Sequence, residues 1–167
     1  MTIIKRVCGI VLCMALLAGC GYHVAGKGGQ MPGGATAVSI PVFVNETSKP
    51  NIESVVTGAF VDTFVNTVSI TGSAAVVMKG VIKSYVLTPV SYTRSDVNQE
   101  YRLTIVMAIT LSRGAETLWS AENITNYKDF AVNQADVTAT KEAEDKALAK
   151  IALDTARLVK ENMLSGF

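Results

Sequence analysis

From Glu100 to Ser112 the chain alternates without a break. Tyr101, Leu103, Ile105, Met107, Ile109 and Leu111 are large and apolar, whereas Arg102, Thr104, Val106, Ala108, Thr110 and Ser112 are smaller or polar. A period of two predicts a β-strand with one buried face; a helix would scatter the same apolar groups around its axis. The flanking segments repeat the signal. Ala74 to Val90 carries Val76, Val77, Val81, Ile82, Tyr85 and Val86, with Gly80 marking a possible bulge. Arg113-Gly114-Ala115-Glu116 turns the chain, and Thr117 to Lys128 returns as a strand with Leu118, Trp119, Ile124 and Tyr127. These segments predict an antiparallel meander.

Upstream, Ala37 to Val44 reads as a first strand through Val38, Ile40, Val42, Phe43 and Val44. Pro41 has no N–H for a ladder and pushes this strand toward an edge or a bulge. Ile52, Val55, Val56, Ala59, Phe60 and Phe64 then recur at helical spacing, which predicts a helix to about Asn66 with Asn51 as N-cap. Gly58 inside that helix costs about 1 kcal/mol against Ala and suggests close packing. A last helix spans about Val137 to Leu164, with Asp136 as N-cap and Leu148, Ile151, Ala152, Leu158, Val159 and Met163 as its buried stripe. Lys146, Lys150, Asp154, Arg157, Lys160 and Glu161 fall largely outside the stripe.

The expected fold is therefore α+β, with two helices packed on one face of a four-stranded, mainly antiparallel sheet, in the order β-α-β-β-β-α. The strongest strand supplies the covered face through its odd-numbered residues. Its even-numbered face carries little charge, a pattern that fits contact with another protein and, nearly as well, ordinary β-propensity.

The N-terminus reads as an export signal. Lys5 and Arg6 precede Val7 to Ala18, twelve apolar or small residues without a charge. That run is shorter than the roughly 20 residues of a transmembrane helix. It ends in Leu17-Ala18-Gly19-Cys20, which resembles the bacterial lipobox, in which the cysteine thiol takes a diacylglyceryl group. The expected division is a cleaved signal over 1–19, a lipidated Cys20 with a glycine-rich tether over 20–36, and one domain over 37–167. Cys8 and Cys13 leave with the signal, so no thiol remains for a disulfide. Acyl chains on Cys20, palmitate among them, would hold the chain at a membrane. Gly21 in place of Asp implies, by resemblance to bacterial lipoproteins, sorting to the outer membrane.

Composition excludes several functions. The chain of 167 residues has a net charge of +1, which provides no electrostatic footprint for nucleic acid. The 15 basic residues less Lys5 and Arg6 leave 13 against 14 acidic ones in the mature chain. The single His23 has no base or ligand partners nearby in sequence, so neither a catalytic triad nor a metal site can be built on it. Gly26 to Gly34 holds five glycines in nine residues but lacks the Gly-Lys-Ser/Thr ending of a phosphate loop. Asp136, Glu142, Glu144 and Asp145 read as a solvated helix start favoured by the helix dipole. No enzyme and no cofactor is expected.

Binding is what remains. Ser91 to Gln99 joins two strands and contains Arg94; Thr138 to Lys141 opens the last helix. An antiparallel meander can place both at one end of the sheet. Arg94 offers a planar fork for phosphate, and Lys141 a charge near a helix N-terminus.

Several segments then resemble the LptE family of lipopolysaccharide-assembly lipoproteins. They are Cys20-Gly21-Tyr22-His23, Ile40 to Thr47, Pro50-Asn51-Ile52-Glu53, Pro89-Val90-Ser91-Tyr92 and Gln99 to Leu103. The resemblance spans essentially the whole mature chain. It implies two helices on a four-stranded sheet and a plug in the lumen of the outer-membrane barrel LptD. That complex inserts lipopolysaccharide into the outer leaflet. It also implies lipopolysaccharide binding through Arg94, which sits six residues before the Glu100-Tyr101 pair, and through Lys141 at the start of the last helix. The alternative is an outer-membrane lipoprotein serving another lipid or efflux exporter.

Overall fold

The structure is a computed structural model that describes residues 30–92 and 98–165. The signal segment, Cys20, His23 and Arg94 lie outside the described residues.

A 3-10 turn at Pro32–Gly34 leads into β1 (Ala37–Ser39), β2 (Val44–Asn45), α1 (Ile52–Phe64) and β3 (Ser69–Ile70). Three long strands follow, β4 (Val76–Tyr92), β5 (Asn98–Arg113) and β6 (Glu116–Ala131), and then α2 (Val137–Ser165). The fold is α+β as expected, but the sheet differs from expectation. It has six strands and is mixed: β3-β1-β4-β5-β6 in order, with β2 also paired to β4. β1 runs parallel to β3 and β4, and β2 parallel to β4, while β4/β5 and β5/β6 are antiparallel. Pro41 accounts for part of the difference. The expected first strand breaks into β1 and β2 around Ile40–Phe43, because Pro41 cannot donate to a ladder. β3 is two residues long, too short for any period to announce it.

The alternation in β5 is realised fully. Leu103, Ile105, Met107, Ile109 and Leu111 are all at most 1% exposed, and both helices pack over that side. The helices lie side by side and run in the same direction: Lys49, just before α1, meets Glu144 on α2, and Lys160 Nζ donates to the Thr63 carbonyl at 3.3 Å. At about 1.5 Å per residue, α2 is about 44 Å long and runs back along most of the sheet. Its buried stripe includes Leu148, Ile151, Ala152, Val159 and Met163, as expected. Leu158 is a correction: it is 43% exposed, because the stripe turns instead through Thr155 and Ala156. Val55 on α1 is likewise 39% exposed, while Ile52, Val56, Phe60 and Phe64 form the core side.

The two helix caps differ. The Asp136 carboxylate accepts from the Ala139 N–H at 2.9 Å, the geometry of an N-cap. Asn51 makes no side-chain cap; it sits in the left-handed region at φ 65°, which Asn tolerates better than most residues.

The two singled-out glycines exchange roles. Gly58 is exposed, and a Cβ there would meet nothing within 4 Å, so it marks no close packing. Gly80 is not the bulge; the ladder slips between Ile82 and Ser84. Gly80 instead lies under the ring of Phe43, whose atoms would be 2.3 Å from an added Cβ. That ring stands edge-on to Phe60 at 5.0 Å, and the Phe43 N–H donates to Thr57 Oγ1 at 3.0 Å. Gly80 thus lets the β1–β2 connection press onto the sheet and against α1. Gly58→Ala is expected to stabilise the fold by about 0.5–1 kcal/mol through helix propensity. Gly80→Ala is expected to destabilise it by about 1–3 kcal/mol through overpacking. Urea denaturation of the two variants checks the opposite signs.

Candidate functional site

The last residue of β4, the first of β5 and the start of α2 lie at the same end of the sheet. Tyr92 pairs with Asn98, and Glu100 with Ala131 at the end of β6. The Val132 N–H then donates to the Gln99 carbonyl at 2.8 Å. The Asn133 N–H donates to Thr140 Oγ1 at 2.9 Å, and that hydroxyl returns a bond to the Asn133 carbonyl at 3.0 Å. The Asn133 side chain also accepts from the Ala135 N–H at 3.1 Å. This succession ties the first residues of β5 to the first turn of α2. Lys141 follows directly. Its side chain is about half exposed and pairs with Asp145 one turn on. Such a surface pair contributes roughly 0–1 kcal/mol, so an incoming anion can displace it cheaply.

Arg94 belongs to the connection between Tyr92 and Asn98 and lies outside the described residues. Two further cations in this half of the sheet are described. Lys128 is exposed on β6. Arg102 on β5 is engaged: it makes a two-pronged contact with Asp129 at 2.7 and 2.9 Å and stacks 4.3 Å from the Tyr127 ring. The bond to Asp129 raises the Arg102 pKa, and the same bond lowers that of Asp129. Arg102 is thereby committed to its neighbours.

Glu144 corrects the sequence reading most sharply. It was expected on a solvated helix start, yet it is 8% exposed. It accepts from Lys49 Nζ at 2.6 Å and from the Tyr85 hydroxyl at 2.5 Å. Lys49 also lies 5.4 Å from the Tyr85 ring. One carboxylate thus joins α2, β4 and the loop before α1. That loop is fixed further by Asn45, whose side-chain amide donates to the Lys49 carbonyl at 2.8 Å and to Glu53 at 3.0 Å. Burial alone would raise the Glu144 pKa, but the bonds from Lys49 and Tyr85 outweigh it and hold the carboxyl below its usual range. Burial, reinforced by Glu144, pushes the Tyr85 phenol up, so it remains protonated. The group is a bracket that keeps the start of α2 against the sheet.

The other end of the molecule has an open groove of about 580 Å³, lined by Met31, Ala35, Val65 and Val68 among others and by no titratable side chain. Among the described residues, no three His, Cys, Asp or Glu side chains gather as metal ligands. No described helix is long and apolar enough to cross a membrane.

A mixed sheet with both helices packed on one face defines the class of fold. The same fold is found in rare lipoprotein B from Shewanella oneidensis, with a TM-score of 0.54 and 15% identity over 78% of this chain and 95% of that one. A lipoprotein B from Nitrosomonas europaea matches with a TM-score of 0.53 and 16% identity over 87% and 92%. A lipoprotein from Caulobacter crescentus gives a TM-score of 0.54 and 10% identity over 75% and 89%. At these identities the likeness establishes the fold. No curated protein matches the sequence. The lipopolysaccharide-assembly family LptE matches residues 35–163, and the chain belongs to that family.

Because the Glu144 pKa is depressed on folding, its contribution to stability is full above the unfolded carboxyl value of about 4.3 and is lost as pH falls through the folded value. Glu144→Gln is expected to flatten the acid limb of the stability curve below about pH 4. Tyr85→Phe, which leaves the carboxylate one donor short, is expected to cost about 1–3 kcal/mol at neutral pH. Thermal melts across pH check both.

Proposed function

We propose that this chain is an outer-membrane lipoprotein that plugs the LptD barrel and helps place lipopolysaccharide in the outer leaflet. It works by contact, without breaking bonds. Residues 1–19 are removed, Cys20 is acylated, and the residues after it tether the working domain, into whose core Met31 is already packed. The observation that carries this reading is the LptE family match over residues 35–163.

The geometry supports it in two respects. The described fold is built for rigidity, with long strands clamped by two parallel helices and by the Glu144 bracket. Lys141 stands half exposed near the N-terminus of α2, at the end to which Tyr92 and Asn98 bring the Arg94 connection. Lipid A carries phosphates, which favour both an arginine fork and a cation near a helix N-terminus. Arg94 and Lys141 would grip those phosphates and loosen the ion-bridged packing between lipopolysaccharide molecules.

Arg94→Asp combined with Lys141→Asp is expected to weaken capture of purified lipopolysaccharide while leaving the melting temperature unchanged. Capture equal to wild type would remove the two cations from the mechanism. Detergent extraction of outer membranes is expected to yield the chain bound to the barrel, and Cys20→Ala to move it out of the membrane fraction. Isolation of the chain without a barrel would refute the plug.

A further inference from the structure

The two long edges of the sheet differ most in charge, since the outer edge of β4 also has register slips, at Ile82/Ser84 and beyond Pro89. β6 is one edge, and it carries the devices that discourage strand addition. It has four charged residues, Glu116, Glu122, Lys128 and Asp129, and a register slip at Glu122–Asn123, where Asn123 adopts φ 56°. The other edge changes identity along its length. β1 and β2 cover β4 from Val76 to Ile82, and the last ladder bond there runs from the Glu46 N–H to the Ile82 carbonyl at 3.0 Å. From Lys83 onward no described strand pairs with the outer side of β4.

That open stretch is uncharged: Ser84 to Tyr92 contains no Lys, Arg, Asp or Glu. It is also apolar on both sides. Val86 is 47% exposed, Leu87 39% and Val90 39%. Lys83 at its base is already paired with Glu122.

The register shows which backbone groups face outward. Ile82, whose carbonyl points toward β2, stands opposite Met107. Tyr85, Leu87 and Pro89 stand opposite Ile105, Leu103 and Tyr101, the same alternating set along β5. Their N–H and C=O groups therefore also point outward. Pro89 belongs to this set, so its missing N–H costs the β4–β5 ladder nothing and merely leaves one gap in the free edge. A row of alternating donors and acceptors flanked by exposed apolar side chains matches one kind of ligand, an extended polypeptide backbone.

We propose that the outer edge of β4 from Lys83 to Val90 receives an extended, uncharged segment of the barrel partner as an additional strand, continuing the line begun by β2. The inference rests on the plug reading for the identity of the partner. Amide hydrogen exchange on the full lipidated chain, alone in detergent and in the purified barrel complex, tests it. Exchange over residues 83–90 is expected to slow about tenfold or more in the complex, with little change over residues 116–121 on the β6 edge. Val86→Lys with Val90→Lys is expected to lower the yield of complex while the free chain keeps its melting temperature. Unchanged exchange over 83–90 in an intact complex would overturn the edge pairing and leave the plug standing. Equal slowing on both edges would overturn it too, since that signals general enclosure. Failure to isolate any barrel complex would overturn both readings.

Discussion

Everything in this molecule is hung on the odd-numbered face of β5. Five consecutive odd residues, Leu103 to Leu111, are removed almost completely from water. Burying side chains of that size contributes about 1.5–3 kcal/mol each before entropy is counted. β5 is also the central member of the long antiparallel ribbon, paired along nearly its whole length to β4 on one side and β6 on the other. The strand therefore fixes three relations at once: the register of both neighbours, the face on which the helices lie, and the end at which the β4–β5 connection emerges. A one-residue slip would exchange Leu103, Ile105 and Met107 for Thr104, Val106 and Ala108, and the helices would lose their platform.

The long elements were legible in the sequence because their periods run long enough to exclude alternatives. β5 and α2 were readable to within a residue or two, and Asp136 was identified as a cap because a carboxylate before a helix has one obvious use. What was not legible is short or three-dimensional. β3 has two residues and no period. The parallel pairing of β1 and β2 with β4 depends on the crossover through α1, and no local pattern reports it. Gly58 and Gly80 are chemically identical and sit in similarly apolar surroundings in the sequence. Only the approach of Phe43, 37 residues away in the chain, gives Gly80 its role.

Glu144 is the instructive miss, because its signal was present. The buried positions of α2 include 144, 148, 151, 155, 159 and 163, steps of three and four along one face of a helix, with Ala147, Ala152 and Ala156 beside them. Read by charge, Glu144 belongs to the solvated start; read by period, it belongs to the core. Period is the stronger guide, since a carboxylate on the buried stripe must find donors or else lose its charge. Lys49 and Tyr85 are those donors, and neither could be named from spacing, because they arrive from a loop and a strand distant in sequence.

The face of β5 turned away from the helices poses a different problem, and the structure solves it without covering it. Lys83 and Glu122 pair across the ribbon at the level of Ala108, which is 6% exposed on a face where the described residues place no second layer. Arg102 and Asp129 do the same nearer the β4–β5 connection, with Tyr127 stacked on the guanidinium. Four charges on this surface are thus neutralised among themselves, and the β5 positions between the two pairs are Thr104 and Val106; Lys79, opposite Thr110, is a further exposed charge beyond them. Exposed pairs of this kind add little to stability. Their larger effect is on what the face can meet. A surface whose ions are already matched presents no strong field, so it neither demands a counter-charged partner nor strongly repels a polar wall. Between the two pairs this flank is thereby electrically quiet and suited to close packing.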